Sequence, residues 1–83
     1  MVVDIITPEE SVFSGEADRI QLPGTVGKFE ILNDHAALIS SLENGTVKIT
    51  SGAEVKNIEI TGGFVEVLNN QVTILAEGLV AAE

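Results

Sequence analysis

The sequence has 83 residues, 45% of them hydrophobic, with thirteen acidic residues against four basic ones and a formal net charge of −9. That length suits a single domain spanning residues 1–83. The charge argues against nucleic acid and anionic lipid as partners, since both call for clustered Lys and Arg. There is no cysteine, hence no disulfide or thiol chemistry, and no apolar run approaches the roughly 18 residues of a membrane helix. Met1-Val2-Val3-Asp4 lacks the basic start of a signal peptide, so a cytosolic or membrane-peripheral protein is expected. With three Phe and neither Trp nor Tyr, the core must be built of Val, Ile and Leu. The acids are scattered singly apart from Glu9-Glu10, which suits a solvated surface or a face docked on a basic partner.

In chain order, Val3 and Ile5 alternate with Asp4 and stop at Thr7-Pro8-Glu9-Glu10, the pattern of a short strand ended by a turn. A helix capped by Thr7 is the alternative, but Gly15 interrupts it too soon. Ile20 and Leu22 share a face with Asp18 and lead into Leu22-Pro23-Gly24-Thr25-Val26-Gly27-Lys28, a tip from which Phe29 and Ile31 return. Asp34 to Gly45 is ambiguous on periodicity alone. Leu38, Ile39 and Leu42 fit helical spacing, whereas a run of about ten residues is marginal for a helix. Asn44-Gly45 is a turn signal, and Val47 and Ile49 alternate after it. Ser51-Gly52 marks another turn, then Lys56, Ile58 and Ile60 share a face up to Gly62-Gly63. Val65 and Val67 follow among Phe64, Glu66 and Leu68, with both faces expected to be partly buried. Asn69-Asn70 turns into Val72, Ile74 and Ala76, and the tail Leu79–Glu83 is expected to fray. Turn signals at roughly ten-residue spacing indicate an all-β antiparallel sandwich or barrel.

Candidate chemistry is sparse. His35 is the only imidazole; Asp34 and several serines accompany it, but no Gly-x-Ser-x-Gly elbow exists. Its expected role is structural, a ring nitrogen bonding nearby backbone. No ligand set for zinc or calcium is present, and no cofactor or small-molecule ligand is expected. Gly24 to Lys28 carries part of a phosphate-loop pattern, but Phe29 stands where Ser or Thr would bind magnesium. The alternative to a binding module is a small β carrier domain modified on Lys28, the lysine nearest a suggested turn.

The ordered set Ile5-Ile6-Thr7-Pro8-Glu9, Val12-Phe13-Ser14-Gly15-Glu16, Leu22-Pro23-Gly24, Gly27-Lys28-Phe29, His35-Ala36, Gly62-Gly63-Phe64-Val65-Glu66-Val67 and Val72-Thr73-Ile74-Leu75-Ala76-Glu77 resembles the N-terminal domain of the F-type ATP synthase epsilon subunit (delta in mitochondria). The resemblance implies a flattened antiparallel β-sandwich of about ten short strands, with strand rather than helix after His35. It implies a non-catalytic central-stalk subunit joining the gamma subunit to the membrane c-ring, peripheral on the cytoplasmic face of the bacterial inner membrane, and coupling ion transport to ATP synthesis. By position, Val26, Gly27 and Lys28 correspond to the c-ring-facing loop, and Thr7, His35 and Ser40 to the gamma-facing surface. The sequence departs from the family near Glu30, Asn33, Asp34 and Ala37, where glycine, proline, glycine and proline are usual. It also ends at Glu83, where bacterial relatives continue into a helical hairpin, so a hairpin-less or truncated subunit is the expectation.

Overall fold

Seven strands, seen in a computed structural model that describes residues 1–80, account for most of the chain. They are β1 (Val2–Ile6), β2 (Ser11–Glu16), β3 (Arg19–Gly24), β4 (Gly27–Leu32), β5 (Leu38–Ser51), β6 (Glu54–Leu68) and β7 (Gln71–Ala76). They form one continuous sheet in the order β2-β1-β7-β6-β5-β3-β4, and no helix occurs among the described residues. All neighbours are antiparallel except β1 and β7, which run parallel from Val2↔Gln71 to Ile6↔Leu75. The sheet is therefore mixed, a departure from the wholly antiparallel expectation.

The layering comes from β5 and β6. They are 14 and 15 residues long and pair in one unbroken register from Leu38↔Val67 to Ser51↔Glu54. The second arm of β6 lies between β7 and the first arm of β5, while the second arm of β5 lies beside β3, which also meets the first arm at Gly24↔Leu42. In β6 the buried positions are Ile58 and Ile60 before the glycines and Val65 and Val67 after them, so the inward face changes from even to odd numbers. In β5 it changes between Leu42 and Val47. Strict alternation allows no such change; two consecutive glycines at φ +112 and +142 supply it. The sheet bends there and folds over its own apolar face. Ile5, Ile20, Leu22, Ile31, Ile60 and Ile74, from five different strands, are then wholly buried in one cluster. Across the open end, Lys56 of β6 sets its ammonium 5.5 Å from the centre of the Phe13 ring of β2, a contact that only a folded sheet permits.

This bend explains the strand count. About ten short strands were expected and seven are present, because the chain runs straight through Asn44-Gly45 and Gly62-Gly63. Counting β5 and β6 as two arms each, and adding the pairing of Leu79 with Ile60, recovers the larger number. Leu79 and Val80 are thus tied to β6, with the Val80 amide donating to the Glu59 carbonyl at 3.2 Å, rather than frayed; the rest of the expected fraying tail, 81–83, lies outside the described residues. The segment from Asp34 to Gly45 is a turn and coil followed by strand, without helix. Phe64 and Leu68 are 55% and 51% exposed, so β6 buries one face here and not both. Lys56 is likewise exposed although it shares register parity with Ile58 and Ile60.

Gly63 is where this geometry is least forgiving, since a Cβ there would collide with the Leu75 carbonyl oxygen. Gly63→Ala is expected to cost about 3 kcal/mol or more, through strained φ plus a backbone clash. Gly52→Ala, at φ +61 with open space around it, should cost about 1 kcal/mol. Urea midpoints at unchanged slope would check the pair of values.

Candidate functional site

The prominent feature of the surface is the β3–β4 hairpin. Gly24 pairs with Gly27 around the two-residue loop Thr25-Val26, and Val26 is fully solvent-exposed. Two contacts hold the hairpin. The Phe29 ring covers Gly24 so closely that a Cβ there would stand 2.7 Å from it. On the other side Pro23 lies against Gly45, where a Cβ would meet the proline ring at 2.7 Å. Pro23 has no amide proton to give to β5, and the β3–β5 register shifts between Gln21↔Lys48 and Gly24↔Leu42. The loop is tethered to β5 by Thr25: its amide donates to the Ser41 carbonyl at 3.4 Å, and the two hydroxyls lie 3.0 Å apart.

The hairpin and the start of β5 enclose a groove of about 410 Å³ lined by Val26, Gly27, Lys28, Phe29, Leu38, Ile39 and Ser40. Four of the six candidate residues thus fall in one place: Val26, Gly27 and Lys28 on one wall and Ser40 on the other. Ile39, 74% exposed, belongs to the same surface and was missed in the sequence. The signal for it was its position between inward-facing Leu38 and Ser40, which an ambiguous strand assignment concealed. His35 lies in the loop that leads into this wall. Its amide donates to the Leu32 carbonyl at 3.2 Å, and its Nδ1 is 2.7 Å from the Ala36 carbonyl. The ring thus bonds local backbone, as expected, and neither Asp34 nor a serine reaches it. Asp34 adopts φ +63, and its amide donates to the Asn70 side-chain oxygen at 2.7 Å, which ties the His35 loop to the β6–β7 turn.

Thr7 stands apart. Its amide donates to the Glu10 carbonyl at 2.9 Å, and its hydroxyl oxygen accepts from the Glu9 and Glu10 amides at 3.4 and 3.3 Å, a compact turn of the kind short hydroxyl side chains favour. That turn lines a second groove with Glu77, Gly78 and Leu79. No groove or hydrogen bond among the described residues joins Thr7 to His35 or Ser40. Lys28 sits within the ladder opposite Pro23, one residue beyond the turn, so it is not presented at a tip as a carrier lysine would be.

The other basic residues are dispersed. Arg19 and Lys48 share a groove with Gln21, Glu30 and Thr50 on the outer face of the β3–β5 layer, without an ion pair to Glu30 within 4.0 Å. The outer face of the opposite layer carries Ile6, Leu75 and Phe64 side by side across β1, β7 and β6. Nothing in these arrangements activates a nucleophile or assembles a metal site among the described residues.

Fold and surface together describe a small β module with open sheet edges and surface grooves. The sequence matches, over residues 1–82, the family model described as ATP synthase, Delta/Epsilon chain, beta-sandwich domain. The chain belongs to that family. It is 43% identical over 75 residues to the ATP synthase epsilon chain of Leptospira borgpetersenii, covering 90% of this chain and 59% of that protein. It is 47% identical over 73 residues to that of Desulfitobacterium hafniense, covering 88% and 55%. The chain therefore spans a little over half the length of these curated relatives. Among solved structures, a chain of the Tetrahymena thermophila mitochondrial ATP synthase, in a structure of its central stalk and c-ring, superposes with TM-score 0.79 at 29% identity, covering 95% of this chain and 64% of that one. A chain of the Euglena gracilis mitochondrial ATP synthase has the same fold, with TM-score 0.89 at 20% identity, covering 96% and 52%.

The Asp34–Asn70 contact yields a test of how the His35 loop is held. Asn70→Gly keeps the positive φ of 62 accessible and deletes the acceptor. Losing one hydrogen bond should raise the hydrogen-exchange rate of the Asp34 amide by about tenfold, while amides in β6 remain protected.

Proposed function

We propose that this chain is a non-catalytic rotor subunit of an F-type ATP synthase, linking the gamma subunit to the c-ring and so coupling proton or sodium transport to ATP synthesis. Residues 1–83 act in this reading as one sandwich unit, peripheral on the cytoplasmic face of a bacterial inner membrane. The observation that carries it is the β3–β4 hairpin: a rigidly seated tip with a fully exposed Val26, on a fold that a relative of 29% identity uses within a central stalk and c-ring assembly.

Val26, Gly27 and Lys28 form the ring-facing surface. A bare valine supplies apolar contact, and Lys28 supplies a charge that can meet carbonyl or carboxylate groups. Thr7, His35 and Ser40 face gamma. Since Ser40 shares a groove with Val26 to Phe29, the two partners adjoin along the Leu38–Ser40 edge. The domain does no chemistry of its own: the role of a coupling element is to hold two partners at a fixed orientation, and a sandwich closed over an aliphatic core is stiff enough for that. Modification of Lys28 as a carrier is disfavoured by its place in the ladder.

Retention of purified chain on immobilised gamma and on detergent-solubilised c-ring would test the assignment. Lys28→Glu combined with Val26→Asp is expected to lower ring retention by about tenfold or more, with gamma retention near wild type, as for loss of a contact and its charge at an interface centre. Equal losses on both partners would overturn the division of surfaces, and failure of the unaltered chain to bind gamma at micromolar concentration would overturn the rotor reading.

A further inference from the structure

We infer that the free edge of β4 pairs with a second copy of this chain, forming a two-fold symmetric antiparallel dimer centred on Phe29. β4 ends the sheet order, so one side of it has no strand partner among the described residues. The hairpin fixes which groups face outward. Gly24 and Gly27 flank a two-residue loop and are therefore a hydrogen-bonded pair. Alternation makes Leu22↔Phe29 and Ile20↔Ile31 bonded pairs as well, so the amides and carbonyls of Lys28, Glu30 and Leu32 point away from β3. The Leu32 carbonyl accepts from the His35 amide at 3.2 Å, which leaves both groups of Lys28 and Glu30 and the Leu32 amide for a further strand. The side chains of these same three residues are exposed, while Phe29 is half-buried and Ile31 buried.

An open edge of this kind is a template for a further strand. Two copies can meet with outward groups facing outward groups in only a few registers. Centring on Lys28 opposes two lysines, and centring on Glu30 opposes two glutamates; either places like charges across the ladder, which is unfavourable. Centring on Ile31 leaves each Glu30 beside Leu32, and its counter-charge for Lys28 would be Asp34, which lies beyond the end of β4 at φ +63 and so is off the ladder. Centring on Phe29 sets Lys28 of each copy opposite Glu30 of the other, twice by symmetry, and brings exposed Val26 beside exposed Leu32 at both ends. Every exposed side chain on the strand then has a complementary neighbour, the self-complementarity that a two-fold interface requires. Neither Lys28 nor Glu30 has an ion-pair partner within its own chain among the described residues. The opposite sheet edge, β2, carries Glu16 and no cation, so it offers no such self-match.

The pairing goes beyond the rotor assignment and does not depend on it. It is a property of the free chain, since a tip seated on another partner would have its edge occupied. The net charge of −9 on each copy opposes association at long range, and ordinary ionic strength screens that repulsion beyond roughly 8 Å while leaving the contacting pairs in place.

Sedimentation equilibrium of the purified chain at about 0.15 M salt, up to several hundred micromolar, provides the test, with no gamma or ring present. The unaltered chain is expected to show a monomer–dimer equilibrium. Lys28→Glu and Glu30→Lys should each raise the dimer dissociation constant by about tenfold, because both symmetry-related pairs become repulsive. The double swap Lys28→Glu with Glu30→Lys should return it to within about threefold of the original. Circular dichroism on each variant would confirm that these exposed changes leave the fold intact. A strictly monomeric chain, a dimer indifferent to the single changes, or a double swap no better than the singles would each overturn the proposal.

Discussion

Everything in this fold depends on two long strands being able to bend without breaking their pairing. β5 and β6 stay in register over their whole length, yet each changes which residues it turns inward partway along. Gly62 and Gly63 make that possible in β6 by adopting backbone angles closed to other residues, and Gly63 is so tightly placed against Leu75 that no side chain fits. Without the bend, Val65 and Val67 would point away from the side on which Ile58 and Ile60 are buried. With it, a single sheet supplies both layers of a sandwich, and an aliphatic core closes without any large aromatic residue at its centre.

The same bend positions the β3–β4 hairpin. Gly45, in the turning region of β5, leaves room for Pro23, and Pro23 interrupts β3–β5 pairing where its missing amide would otherwise be an absent donor. The β3–β4 hairpin is thereby seated against the first arm of β5, with Phe29 lying over Gly24 and Thr25 tied to Ser41. What reaches solvent is a short, well-anchored tip flanked by Leu38 to Ser40. The rotor role proposed for this chain would use that combination, a residue that protrudes on a support that does not yield.

The histidine loop illustrates how local bonding can stand in for apparent chemistry. His35 beside Asp34 suggests a charge pair, but the Asp34 amide is engaged by Asn70 and the imidazole bonds the Ala36 carbonyl. Both interactions shape the loop before β5. The acidic side chains likewise are distributed over strands, and none of the described ones gather into a metal-binding group.

Alternation in the sequence determined the all-β class, and it grouped Val3 with Ile5, Ile20 with Leu22, Val47 with Ile49, Ile58 with Ile60 and Val72 with Ile74 on single faces that the structure buries, because side-chain direction along a strand follows parity. For Val65 and Val67 it left both faces partly buried, and only one is. The ordered motifs pointed to the family. The change of parity between Ile60 and Val65 was also present in the sequence, but glycine pairs and Asn-Gly signal turns far more often than bends within a strand, so β5 and β6 read as separate short strands. Only the tertiary structure decided that these segments are continuous, that β1 pairs parallel to β7, and that Ser40 and Ile39 share a groove with Val26 while Thr7 lies elsewhere. Those facts depend on which strands neighbour one another, and strand neighbours are chosen by long-range burial that no local pattern encodes.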